Sequence, residues 1–243
     1  MERQINAKAK SELAPGGKLR VGVNHGNFLL VRKDEASGET HGIVVDLARE
    51  LARRLGAAIE LIHYAGPGQL ADAARTGAWD VGFLAAEPQR AEEISFTDAY
   101  LEIPATYLVP AGSAIRALAE VDRNGVRIAV AAKSAYDLYL SRTLKHASLV
   151  RAPGIPASYE RFVAERLEVL AGLTARLLAD AGTLPGSRIL EGRFMAVQQA
   201  IGTPRGRDAG AAYLRGFATE IKSSGLVART IERHGVRGVS IAP

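Results

Sequence analysis

The most constraining feature of this 243-residue chain is a strand and helix alternation that runs, stops and then starts again. Residues 19–23 alternate apolar and polar side chains with β-branched residues, and read as a strand. Residues 41–56 place Val44, Leu47, Ala48, Leu51, Ala52 and Leu55 on one helical face, with Gly56 as a left-handed stop. A second strand is expected at 59–64, a short helix at 69–75 closed by Gly77, and a third strand at 79–83. That order makes a parallel sheet with helices on its faces. It restarts after 110–113, with strands at 126–130, 149–150, 168–171 and 188–190 and helices at 134–146, 156–167 and 174–181. Two further helices, 209–223 and 226–233, follow the turn at 202–206. The expectation is an α/β chain of two lobes: a tail over 1–18, lobe 1 over 19–110 and 197–243, and lobe 2 over 111–196. Crossovers are expected near 109–113 and 194–198. Ligands of open α/β sheets sit at the carboxyl ends of the strands, so two such lobes make a cleft that closes like a hinge.

Composition removes whole classes of function. The 31 Lys and Arg against 26 Asp and Glu give a net charge of +5, but the basic residues are scattered and do not interleave with aromatics. Nucleic acid is therefore not an expected partner. With no cysteine, disulfides, thiolate metal sites and thiol nucleophiles are excluded. No window of about 18 apolar residues exists to cross a membrane. The first ten residues lack the apolar stretch of a secretory signal. The five histidines show no ligand spacing, and no phosphate-loop, dinucleotide, zinc-protease or nucleophile-elbow motif occurs. Neither a metal nor a cofactor is expected.

Three strand ends carry candidate chemistry. Asn24, Gly26 and Asn27 follow the first strand, where amide donors and acceptors meet a ligand; the alternative is a turn chosen for Asn and Gly backbone tolerance. Ala85, Glu87 and Arg90 follow the third strand, and a guanidinium is a planar fork suited to a carboxylate. The alternative for Arg90 is a salt bridge with Glu87. Ser134 opens a helix with Asp137 three residues on, either an anion-binding helix terminus or a purely structural cap; Tyr136 beside it is a contact or a packing residue.

The ordered set 19–23, Gly42-Ile-Val-Val-Asp46, Gly77-Ala-Trp-Asp80, Pro88-Gln-Arg90, Phe96-Thr-Asp-Ala-Tyr100, 126–130 and Ser134-Ala-Tyr-Asp137 resembles the bacterial extracellular solute-binding proteins, family 3. The resemblance spans about 19–235 and implies the type II periplasmic-binding-protein fold. It implies that Arg90, ahead of the Phe96–Tyr100 segment, clamps a ligand's α-carboxylate, with Ser134 facing it from lobe 2. Two positions depart from the family pattern: Glu87 stands where a Thr is usual, and Leu173 where an Asp holds the ligand's ammonium. The function implied is capture of a small amino-acid-like or carboxylate ligand by a monomer serving an ABC permease in the periplasm, without catalysis. The same fold also implies two alternatives, a cyclohexadienyl-dehydratase-like enzyme with Glu87 as general acid and a ligand-sensing domain.

Overall fold

The computed structural model describes residues 7–243. From the N-terminal side come α1 (Ala7–Leu13), β1 (Lys18–Asn24), β2 (Arg32–Lys33), β3 (Thr40–His41) and α2 (Ile43–Leu55). Then follow β4 (Ala58–Tyr64), α3 (Pro67–Asp72), β5 (Val81–Ala85), β6 (Ile94–Phe96) and β7 (Leu101–Val109). The next run is β8 (Arg127–Ala131), α4 (Ala135–Thr143), β9 (Ser148–Ala152), α5 (Ile155–Ala164), β10 (Val169–Leu173), α6 (Thr174–Gly182) and β11 (Arg188–Ile189). The chain ends with β12 (Met195–Pro204), α7 (Asp208–Ser223), α8 (Leu226–Arg233) and β13 (Ser240–Ile241). It divides into two compact units: unit 1 runs to Glu102 and resumes over Gln198–Pro243, and unit 2 is Ile103–Val197. The chain changes unit inside β7 and again inside β12.

In unit 1 the strand order is β4-β1-β5-β12, with β6 on the far end of β12. β1 runs parallel to β4 and β5, and β12 runs antiparallel to β5. The α2 helix buries the apolar face read from its spacing, from Ile43 to Leu55, and stops at Gly56 with φ of 56°. Its entry needs Gly42: φ is 129°, and a Cβ there would lie 2.4 Å from the Leu30 carbonyl oxygen. On its polar side Arg54 bridges Glu50 one turn back and Glu220 of α7. Leu70, Trp79, Leu84 and Ile94 form a core cluster in this unit, and the Trp79 ring N–H donates to the Leu70 carbonyl.

In unit 2 the order is β7-β10-β8-β9, with β11 on the other edge of β7. β10 runs antiparallel to β7 and parallel to β8. Its core centres on Leu108, Ala129, Phe162, Leu167, Leu170 and Leu177.

Each unit contains one Arg-carboxylate fork joining neighbouring parallel strands. Arg20 of β1 gives its backbone N–H, Nε and Nη2 to Asp80, just before β5. Arg127 of β8 gives the same three donors to Glu168, just before β10.

Several expectations are corrected. The stretch read as a tail forms α1 from Ala7; its first six residues lie outside the described ones. Ala9 and Leu13 of α1 are buried, Leu13 packs beside Gly210 of α7, and Glu12 accepts the Gly210 N–H. Two long strands go unread in the sequence: β7, which ends where the 109–113 crossover is expected, and β12, which takes in most of the 194–198 crossover. Pro104 in β7 and the Gln198–Gln199 pair in β12 hide their β character, although Gln199 is buried. Helix α4 stops at Thr143, three residues short of the expected end. The backbone N–H groups of Lys145, His146 and Ala147 all donate to the Asp122 carboxylate, which draws them out of any helical pattern. Helix α5 likewise ends early, because Arg166 adopts a left-handed φ of 48°.

Candidate functional site

The unit 1 candidates gather where three neighbouring parallel strands end. β1 exits into Asn24, His25, Gly26 and Asn27; β5 exits into Ala85 and then Glu87 and Arg90; β4 exits through His63 and Tyr64. The Asn24 side chain accepts the Gly26 N–H at 2.9 Å, and the Asn27 side chain accepts the Leu29 N–H at 3.3 Å. The turn role weighed for these asparagines is therefore real, and it occupies their side-chain oxygens. Gly26 is needed for close approach: a Cβ there would meet the Ala65 carbonyl oxygen at 2.9 Å.

Arg90 is 5% exposed and Glu87 6%. Arg90 Nη1 donates to the Ala85 carbonyl at 2.8 Å, closing the bend that carries Glu87. Burial draws its guanidinium down, against the opposing pull of the Glu87 and then Asp72 charges, to about 10. It remains a cation at neutral pH. Arg90 is therefore no surface side chain, and a guanidinium this deeply desolvated needs anionic company. Glu87 supplies part of that company.

In unit 2 the parallel strands β8 and β10 end side by side, at Lys133–Ser134 and at Leu173–Thr174. Ser134 caps α4, its Oγ accepting the Asp137 N–H at 3.1 Å. The reciprocal half of the expected capping box is displaced by one residue: the Asp137 carboxylate accepts the N–H of Lys133 at 2.8 Å. Lys133 holds a left-handed φ of 58°, a strain that this contact helps sustain. Tyr136 is a buried residue of this unit. Burial pushes its phenol well above the ordinary value, against a hydrogen bond with Ser134 that pulls the other way. Leu173 is buried and precedes α6 without a side-chain cap.

Two groupings escape a sequence reading. His25 Nε2 lies 2.8 Å from His63 Nδ1, a pairing that no spacing in the sequence shows. The parallel register explains it: Val23 lies opposite His63, and His25, two residues on, falls on the same side of the strand exit. Asp137 is buried and accepts from Arg151 Nε as well, which anchors the α4 start from β9. Glu168, in unit 2, belongs to the Arg127 fork. Among the described residues no three or more His, Asp or Glu side chains group to hold a metal ion.

The sequence profile described as bacterial extracellular solute-binding proteins, family 3, matches residues 19–236. The chain belongs to that family. No curated protein matches it by sequence. Among solved structures, the solute receptor for L-cysteine of Neisseria gonorrhoeae is 21% identical, with 96% of each chain covered and a TM-score of 0.79. A mutant of ArgBP from T. maritima is 23% identical over 93% of this chain and 98% of that one, TM-score 0.76. The ancestral amino-acid-binding protein AncCDT-1, a precursor of cyclohexadienyl dehydratase, is 21% identical over 93% and 99%, TM-score 0.75. At these identities the likeness establishes the fold. For a family 3 solute-binding protein, the strand ends just described are the place to look for recognition, and the two units equip them differently. Unit 1 offers a buried cation beside a buried carboxyl group, and unit 2 offers a helix cap beside a leucine. No described helix is long and apolar enough to cross a membrane.

Proposed function

We propose that this chain captures an amino-acid-like ligand and hands it to an ABC permease, working as a monomer in the periplasm. Arg90 grips the ligand carboxylate through its planar guanidinium. Ser134 and the start of α4 give that carboxylate further donors in the closed state. Glu87 receives the ligand's ammonium, the task the family assigns to the position of Leu173. Asn24, Asn27 and Ala85 shape the unit 1 side, and Tyr136 supports Ser134 from beneath. The observation that carries this reading is the burial of Arg90 and Glu87 together at the exit of β5, beside β1, in a family 3 chain. Binding, not catalysis, is the work: the ligand selects the conformation in which both sets of groups reach it.

The test is calorimetric titration of ligand-stripped protein with the twenty common L-amino acids and their deaminated analogues. Heat from at least one amino acid, exceeding that of its deaminated analogue, is expected. Aromatic product from prephenate or arogenate, lost in Glu87→Gln, would replace this reading with the dehydratase one.

A further inference from the structure

The imidazole pair at the β1 and β4 exits is absorbed neither by the sheet nor by the clamp. His25 and His63 meet through Nε2 and Nδ1 at 2.8 Å, with ring centroids 5.0 Å apart. His25 also gives its backbone N–H to the Tyr64 carbonyl at 2.9 Å. Two strand-to-strand contacts thus fasten to β4 the turn that carries Asn24 and Asn27. The backbone contact does not respond to pH, whereas the ring contact does.

An imidazole–imidazole hydrogen bond needs one N–H and one bare lone pair. It survives with both rings neutral and with a single added proton. A second proton leaves two facing donors and two like charges, and the contact is lost. We propose that His63 is a positioning residue: by holding His25 it fixes the Asn24–Asn27 turn, and double protonation of the pair loosens that turn and weakens ligand capture at acid pH. The proposal rests on the amino-acid-binding reading for its functional half only.

The surroundings set the direction. Burial lowers His25 below the ordinary histidine value, and the charges of His63 on β4 and Lys33 on β2 lower it further. Tyr64, next along β4, offers this ring no carboxylate, and Asn24 is neutral. A depressed histidine is neutral in the fold and gains its proton more readily once released. The stabilisation that the neutral His25 contributes is therefore fully present above the unfolded value of 6.5 and is lost as pH falls through the lower folded value.

The experiment follows the imidazole nitrogens and the backbone amides of residues 24–29 by NMR from pH 8 to pH 4.5, in the full chain without added ligand. Wild type is compared with His63→Gln, which keeps a hydrogen-bonding group and cannot be charged, and with His63→Ala. Two coupled ring titrations are expected in wild type, with the turn amides moving at the lower midpoint. His25 should titrate higher in His63→Gln, with no second step in the turn. Independent ring titrations, or turn amides that ignore them, would overturn the proposal. In the calorimetric panel the best amino acid should bind roughly tenfold more weakly to wild type at pH 5 than at pH 7.5, while His63→Gln stays nearly flat. A flat wild-type profile also overturns it. Failure of the binding reading has a different signature: no heat from any amino acid at either pH, with the ring coupling intact.

Discussion

The Arg20–Asp80 fork of unit 1 and the Arg127–Glu168 fork of unit 2 are one device built twice, with the same three donors and the same place between parallel strands. They differ in depth. The Asp80 side chain is 0% exposed and takes a further donor, Arg207, which also holds the Glu12 carbonyl of α1. The Glu168 side chain is 35% exposed and meets water. At the opposite ends of the same strands unit 1 buries both Arg90 and Glu87, whereas unit 2 has the Ser134 cap, a buried Asp137 paired with the exposed Arg151, and Leu173. Unit 1 concentrates desolvated charge at both ends of its sheet. Charge in that setting is expensive to strip of its partner, and worth more to a ligand that completes it.

The largest effect should come from breaking the deeper fork. Asp80→Asn should cost about 3–5 kcal/mol, since it leaves Arg20 and Arg207 facing a neutral group. Glu168→Gln should cost under about 1 kcal/mol, because water screens that pair. Chemical denaturation of the two variants checks the difference, and equal losses would erase the contrast. Acid sharpens it. Burial alone would raise Asp80, but hydrogen bonds from Arg20 and Arg207 outweigh it and leave the carboxylate below its ordinary 3.8. Its contribution is fully present above 3.8 and disappears as pH falls through the lower folded value. The acid limb of wild-type stability should therefore flatten in Asp80→Asn.

Next in size is Arg90, the proposed carboxylate clamp. Arg90→Ala should weaken amino-acid binding by about 2–5 kcal/mol, and Arg90→Lys should recover only part of it, since an ammonium keeps the charge but loses the fork. Both variants also lose the donor to the Ala85 carbonyl in its present form, so melting temperatures belong beside the calorimetry. Smaller still is the unit 2 cap. Ser134→Ala should cost about 1 kcal/mol of stability through the lost α4 cap, and less than tenfold in affinity. An affinity loss from Ser134→Ala larger than that from Arg90→Ala would reverse the assignment of charge recognition to unit 1.

Periodicity made α2 and α8 legible almost to the residue, because their apolar stripes are regular and their stops are a glycine and a polar run. It failed where a non-local contact decides the outcome. Asp122 ends α4 from 23 to 25 residues away, and α1 is held by α7 across nearly the whole chain, from Glu12 to Gly210. Arg90 and Ser134 could be named from motif and strand position. Their burial, and the partner of His25, depend on strand order and register, which side-chain periodicity does not encode.

The central claim is that unit 1, through Glu87, selects the ligand's ammonium. The direct measurement is the ratio of affinities for the best amino acid and its deaminated analogue, in wild type, Glu87→Gln and Leu173→Ala. The ratio should collapse toward one in Glu87→Gln and hold in Leu173→Ala. A ratio unchanged by Glu87→Gln would contradict the account.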